Sequence, residues 1–170
     1  MAVVLGVDPS THTGIVALDG LQIIEATEIT CKKKFDQTVD RALALSDQLV
    51  RIVERTQPSL IVFEGYGYSN QHTLALLVEI GTVFRVITRL LDIPHIEIAP
   101  TSLKKVVTGS GTAKKDLMLL EVFKRWGFEA KTDNIADAFG LAVCGQELLG
   151  FDTGIPKTHK DGLKKVKMPN

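Results

Sequence analysis

VVLGVDPSTHTGIVALDG, residues 3–20, holds two apolar runs separated by an acid. Val3, Val4, Leu5 and Val7 form a short, mostly β-branched run, and Thr13 to Leu18 form a second. Both read as strands. Asp8 closes the first run and stands directly before Pro9. Asp19-Gly20 then separates the second run from a third, Leu21 to Ile29. That dipeptide is a hairpin signal, because glycine accepts positive φ. A carboxylate at the mouth of a buried first strand needs a reason.

Working outward, Cys31-Lys32-Lys33-Lys34 closes the meander and reads as a solvated basic face. From Phe35 to about Arg55 the spacing turns helical, with Val39, Ala42, Leu43, Leu45, Leu49, Ile52 and Val53 in one stripe. Pro58 stops that helix, and SLIVFE, residues 59–64, is a continuous apolar strand of the kind found inside parallel sheets. Glu64 ends it as Asp8 ends the first. A loop, GYGYSN, precedes a long apolar helix from Leu74 to Leu91, and PHIEIAP is a fifth strand. TSLKKVVTGSGTAKKDLM reads as a short helix, a flexible Gly-Ser-Gly loop and a second helix from near Ala113. TDNIADAFGLAVCGQELL is the last helix. After Gly150 apolar periodicity is lost, and five lysines face two aspartates. The expected organisation is one domain over residues 1–150 and a poorly ordered basic tail over 151–170.

The totals narrow the setting. A chain of 170 residues with 45% hydrophobic content can bury a core without staples. Cys31 and Cys144 show no metal-ligand spacing, and no leader or membrane-length apolar run is visible. These features predict a cytoplasmic protein. Net charge is zero, so any nucleic-acid contact must come from local basic patches.

Three antiparallel strands, a crossover helix and two further strands set between helices predict an α/β protein. Its five-stranded mixed sheet is flanked by helices on both faces, an order that resembles the ribonuclease H-like arrangement. Asp8 and Glu64 then end the two central strands, where the crevice of an open α/β sheet opens. Asp137 falls among Ile135, Ala138, Phe139, Leu141 and Ala142, on an otherwise apolar helix. Each acid has a plain structural reading. Asp8 can start a turn, Glu64 can be solvated, Asp133 can cap its helix and Asp137 can favour the helix's positive end. Together they point to cations, since buried carboxylates converging on one place are otherwise costly. An all-oxygen set suits Mg2+, with Mn2+ as a substitute. Two ions about 4 Å apart would serve phosphodiester cleavage.

On GVDPSTHTGIVAL, on IVFE with its aromatic-bearing loop, on LKKVVTGSGTAKKDLM and on NIADAFGLA, the chain resembles the RuvC family of Holliday-junction resolvases from about Val3 to Leu149. The resemblance implies a dimeric ribonuclease H-like endonuclease resolving four-way or branched DNA. It implies metal-binding roles for Asp8, Glu64 and Asp137, and places Lys104 and Lys115 near the scissile phosphate. One departure stands out. The family carries an acid or histidine three residues before the last aspartate, whereas this chain has Asn134 there and Asp133 one step earlier. Either Asn134 or Asp133 is the fourth ligand.

Tyr66 and Tyr68 follow Glu64 and either stack on unpaired bases or pack on the next helix. Lys104, Lys105, Lys114 and Lys115 bracket the glycine loop and either form a solvated face or, beside the acids, neutralise phosphate. The surplus apolar face of the Leu74–Leu91 helix suggests a homodimer surface. Three other functions compete: a RuvC-like nuclease acting on RNA, a non-catalytic DNA-binding module, and an actin-like kinase or ATPase. The last needs a second domain with glycine-rich phosphate loops, and no nucleotide cofactor is expected. The four histidines, His12, His72, His95 and His159, show no ligand spacing.

Overall fold

In a computed structural model, residues 2–31, 38–67 and 71–169 are described. Tyr68 and the lysine run 32–34 lie outside the described residues. Five strands appear: β1 Val3–Asp8, β2 His12–Asp19, β3 Gln22–Thr30, β4 Leu60–Glu64 and β5 His95–Ile98. Their helices are α1 Thr38–Thr56, α2 Gln71–Leu90, α3 Pro100–Thr108, α4 Lys115–Trp126 and α5 Asp133–Leu148. The sheet runs β3-β2-β1-β4-β5, with β1 and β2 and then β2 and β3 antiparallel. β4 lies parallel to β1, and β5 parallel to β4. This is the expected mixed sheet of the ribonuclease H-like arrangement.

Strand alternation divides the core in two. Leu5, Val7, Ile15, Ala17, Ile61 and Phe63 pack on α1 and α2. Val4, Val16, Leu18, Leu60, Val62, Ile96 and Ile98 pack on α3, α4 and α5. By the same period of two, Asp8 shares the α5 face with Val4, and Glu64 shares it with Leu60 and Val62. Helix α5 comes unusually close to that face. A Cβ on Gly6 would lie 2.0 Å from the carbonyl oxygen of Ala138, and one on Gly14 would lie 2.0 Å from that of Asn134. Two glycines therefore let the helix backbone rest directly on β1 and β2.

Three expectations change. The hairpin loop is Gly20-Leu21, with Gly20 at φ 61° and Asp19 still paired to Gln22 in the ladder. Val39 and Leu43 belong to the helical stripe by spacing but lie exposed, while Ala42, Leu45, Leu49, Ile52 and Val53 are buried. The segment after Gly150 is packed rather than loose. Ile155 and Leu163 enter the core, and Thr153 is fully buried. Trp126 Nε1 donates to Thr153 O at 2.8 Å, His159 Nδ1 lies 3.1 Å from Val106 O, and Lys160 pairs with Glu147. Isolated apolar residues spaced too widely for a helix or strand left this docking invisible to periodicity.

Candidate active site

The four described acids of interest gather at one end of the sheet. β1 and β4 bring Asp8 and Glu64 side by side, one step beyond the Val7–Phe63 pair. Their carboxyl groups are within hydrogen-bonding reach of each other. Burial pushes Asp8 up to about 6, and the Asp133 charge adds to that rise while the Glu64 hydrogen bond opposes it. Glu64 is pushed up to about 9 by burial and then by the Asp8 and Asp137 charges. Asp137, brought over β1 by the Gly6–Ala138 approach, rises to about 7 through burial and the charges of Asp8 and Asp133.

Asp133 behaves differently. It forms an ion pair with Lys115 across the α4 and α5 starts, which holds its carboxyl below the usual range. The same hydrogen bond raises the Lys115 ammonium. Asp133 does not cap its helix. Thr132 does, its hydroxyl accepting from Ile135 N at 3.2 Å. Asn134 donates from Nδ2 to Glu28 Oε2 at 3.0 Å. Glu28, on β3, also lies close enough to add to the rise at Asp8.

The lysines divide by side. The charge of Lys104, on α3, acts on both Glu64 and Asp137. Lys105 instead faces a separate cleft between α3 and the C-terminal segment, together with Lys164, Lys165 and Asp161. Lys114 is exposed at the N-cap position of α4. Tyr66 is 41% exposed, yet its hydroxyl lies 3.3 Å from Val78 O and accepts from Arg85 Nη1 at 3.1 Å. Packing on α2 is thus its contact in this structure. Arg85 is a residue that sequence reasoning missed. It also donates to the Glu64 carbonyl at 3.2 Å, pairs with Glu97 at 2.6 Å and covers the Phe63 ring, so it clamps the corner that presents Glu64. Glu28 was missed too, because one acid in a half-exposed strand carries no local signal.

The donor set is all oxygen, and its charge calls for a cation. Among the described residues no group of three or more His, Cys, Asp or Glu side chains is arranged to hold a metal ion. The fit is therefore one of charge and donor type: three carboxyl groups lie near one another, each raised first by burial and then by its neighbours' charges, and a divalent cation would relieve that repulsion.

Residues 4–145 match the family described as crossover junction endodeoxyribonuclease RuvC. A curated RuvC crossover junction endodeoxyribonuclease from Chloroflexus aggregans is 32% identical over 148 residues, covering 82% of this chain and 90% of the relative. The chain belongs to the RuvC family. RuvC proteins are metal-dependent endodeoxyribonucleases of the crossover-junction class, and this chain is an enzyme of that class. The solved structure of Thermus thermophilus RuvC has the same fold, with a TM-score of 0.73 at 18% identity over 88% of this chain and 97% of that one. The T. thermophilus RuvC in complex with a Holliday junction substrate gives 0.72 at 20% identity, over 84% and 91%. The RuvC match spans all the acids gathered here and stops short of the docked C-terminal segment.

Proposed function

We propose that this chain resolves four-way DNA junctions by Mg2+- or Mn2+-dependent phosphodiester hydrolysis. It would use Asp8, Glu64 and Asp137 as metal ligands, with Asn134 or Asp133 completing the set. The observation that carries this reading is that Asp8 and Glu64, at the carboxyl ends of adjacent central strands, and Asp137, on the helix packed over them, come together in a RuvC-family chain. Two ions held there would activate water and stabilise the leaving oxygen.

The chain's own residues do the positioning. Asp8 and Glu64 are fixed by strands that cannot shift without breaking the sheet, and Arg85 secures the Glu64 corner. Glu64 and its partners must lose their protons before they can act as ligands, so binding and proton release are linked. Lys115 opens α4, where free backbone N–H groups also favour an anion. With Lys104 it would draw the scissile phosphate towards the acids and stabilise charge that grows during attack. Tyr66, Tyr68, Lys105 and Lys114 are the further DNA contacts of this reading.

A homodimer completes it. Val78, Val86 and Leu90 are exposed along one side of α2, Leu90 at 79%, while Ile80, Phe84 and Thr88 are buried on the other. An apolar stripe of that kind supports a two-fold partner that would place one site on each of two junction strands. We place the protein in the cytoplasm; among the described residues no helix is long and apolar enough to cross a membrane. Residues 1–150 would form the nuclease domain and 151–170 a basic C-terminal tail docked on it.

Labelled four-way junction, linear duplex and RNA hairpin, incubated with and without Mg2+ or Mn2+, test the proposal. The expected result is paired cleavage of the junction alone, and only with metal. Equal cutting of linear duplex, preference for the RNA hairpin, or cutting in chelator would overturn it.

A further inference from the structure

One carboxylate ties the start of α5 to the sheet. Asp8, Gly14 and Glu28 stand in one row across β1, β2 and β3. Gly14 has no side chain, and the Asn134 backbone carbonyl occupies the space above it. Beside that gap, Glu28 Oε2 accepts from Thr132 Oγ1 and from Asn134 Nδ2, each at 3.0 Å. The Thr132 hydroxyl also accepts from Ile135 N, so the group that caps α5 is itself oriented by Glu28.

Hydrogen-bond chemistry then decides which way Asn134 faces. An ionised carboxylate only accepts, whereas a side-chain amide has a donor nitrogen and an acceptor oxygen. The amide must present Nδ2 to Glu28, which turns Oδ1, its ligand-capable atom, away from that carboxylate. We propose that Glu28 is a positioning residue that holds Asn134 with Oδ1 offered to the metal centre as a neutral donor. This rests on the metal-dependent reading above. Charge supports it, because Asp8, Glu64 and Asp137 already repel one another. A neutral oxygen adds a ligand without a fourth negative charge. The competing donor, Asp133, is engaged by Lys115.

Mn2+ binding to the metal-free protein, read by electron paramagnetic resonance of the free ion, tests this without relying on cleavage. Glu28→Ala is expected to weaken Mn2+ binding about tenfold, the usual scale for a partner that orients a ligand. Asn134→Ala should weaken it by a similar factor, and the double variant by no more than Asn134→Ala alone. If Glu28→Ala fails to fold, Glu28→Gln replaces it in the same cycle, with a smaller loss because its amide can pair in either sense. A purely structural Glu28 would lower melting temperature while its effect on Mn2+ multiplied with that of Asn134→Ala. Should the wild-type protein bind no Mn2+, the metal reading itself fails. Should it bind while Glu28→Ala or Asn134→Ala leaves affinity unchanged, or the losses multiply, the Glu28 assignment alone fails.

Discussion

The strand-borne acids and the helix start that faces them are held by different means. Asp8 and Glu64 inherit their positions from adjacent parallel strands, and neither forms an ion pair among the described residues. Asp133 and Asn134 sit on the first turn of α5, and each is engaged by a side chain from another element, Lys115 or Glu28. Asp137 stands between the two regimes, on the helix but in the repelling group. The sheet thus supplies rigid, electrostatically unfavourable carboxyl groups, while the helix start supplies groups tuned by partners. Removing a strand acid should abolish chemistry, and removing a partner should only weaken it.

The strongest break is at the acids. Asp8→Asn, Glu64→Gln and Asp137→Asn are each expected to lower junction cleavage by on the order of a thousandfold or more, with junction binding retained. Melting temperature of the metal-free variants should hold or rise, since each substitution relieves repulsion. Single-turnover rates and thermal melts check both halves, and full cleavage by any one variant contradicts the ligand assignment.

Lys115→Ala sharpens the contrast. It removes a partner of the helix start and, on the proposed reading, a charge near the phosphate. The rate on bound junction should fall on the order of a hundredfold, and affinity by less. An unchanged single-turnover rate at saturating protein would return Lys115, whose side chain is 73% exposed, to a solvated role.

Gly14→Ala acts on the seam between the two regions. Its Cβ would meet the Asn134 carbonyl oxygen at 2.0 Å, so α5 must lift from β2. Overpacking of this kind costs roughly 1–3 kcal/mol. Urea unfolding should show that loss, and wild-type stability would mean the helix start shifts freely.

Stability should also slope with pH. Folded-state values of about 6, 9 and 7 at Asp8, Glu64 and Asp137 lie above the ordinary 3.8, 4.5 and 3.8. The folded chain therefore binds more protons than the unfolded one. Stability is greatest below about pH 4 as far as these groups go, and falls as pH rises towards 9. Thermal melts in chelator across that range should show the decline, flattened in Asp137→Asn.

Much of this was legible in the residues because strands and their terminal acids are local features. The apolar runs before Asp8 and Glu64 place both acids at strand ends, and the helices read from near Ala113 and over 132–149 correspond to α4 and α5. What joins the regions was not legible. Gly6 and Gly14 look like ordinary strand glycines until the backbone of α5 is seen resting on them. Glu28 and Arg85 act across 106 and 21 residues of chain, on Asn134 and on Glu64 respectively, and no periodicity reports such pairs. Asn134 is a departure from the family pattern, and its hydrogen bond to Glu28 has no local signal in the sequence.

The docked C-terminal segment gives the molecule an optical property. Its one tryptophan, Trp126, hydrogen-bonds through the indole to Thr153 and lies 5.6 Å, ring to ring, from Phe139 on α5. A single fluorophore thus spans the seam between the nuclease core and its last residues. Undocking of that segment frees the indole N–H to water and shifts the emission to the red, so the chain carries an unlabelled, single-site gauge of whether its end is seated while DNA is bound.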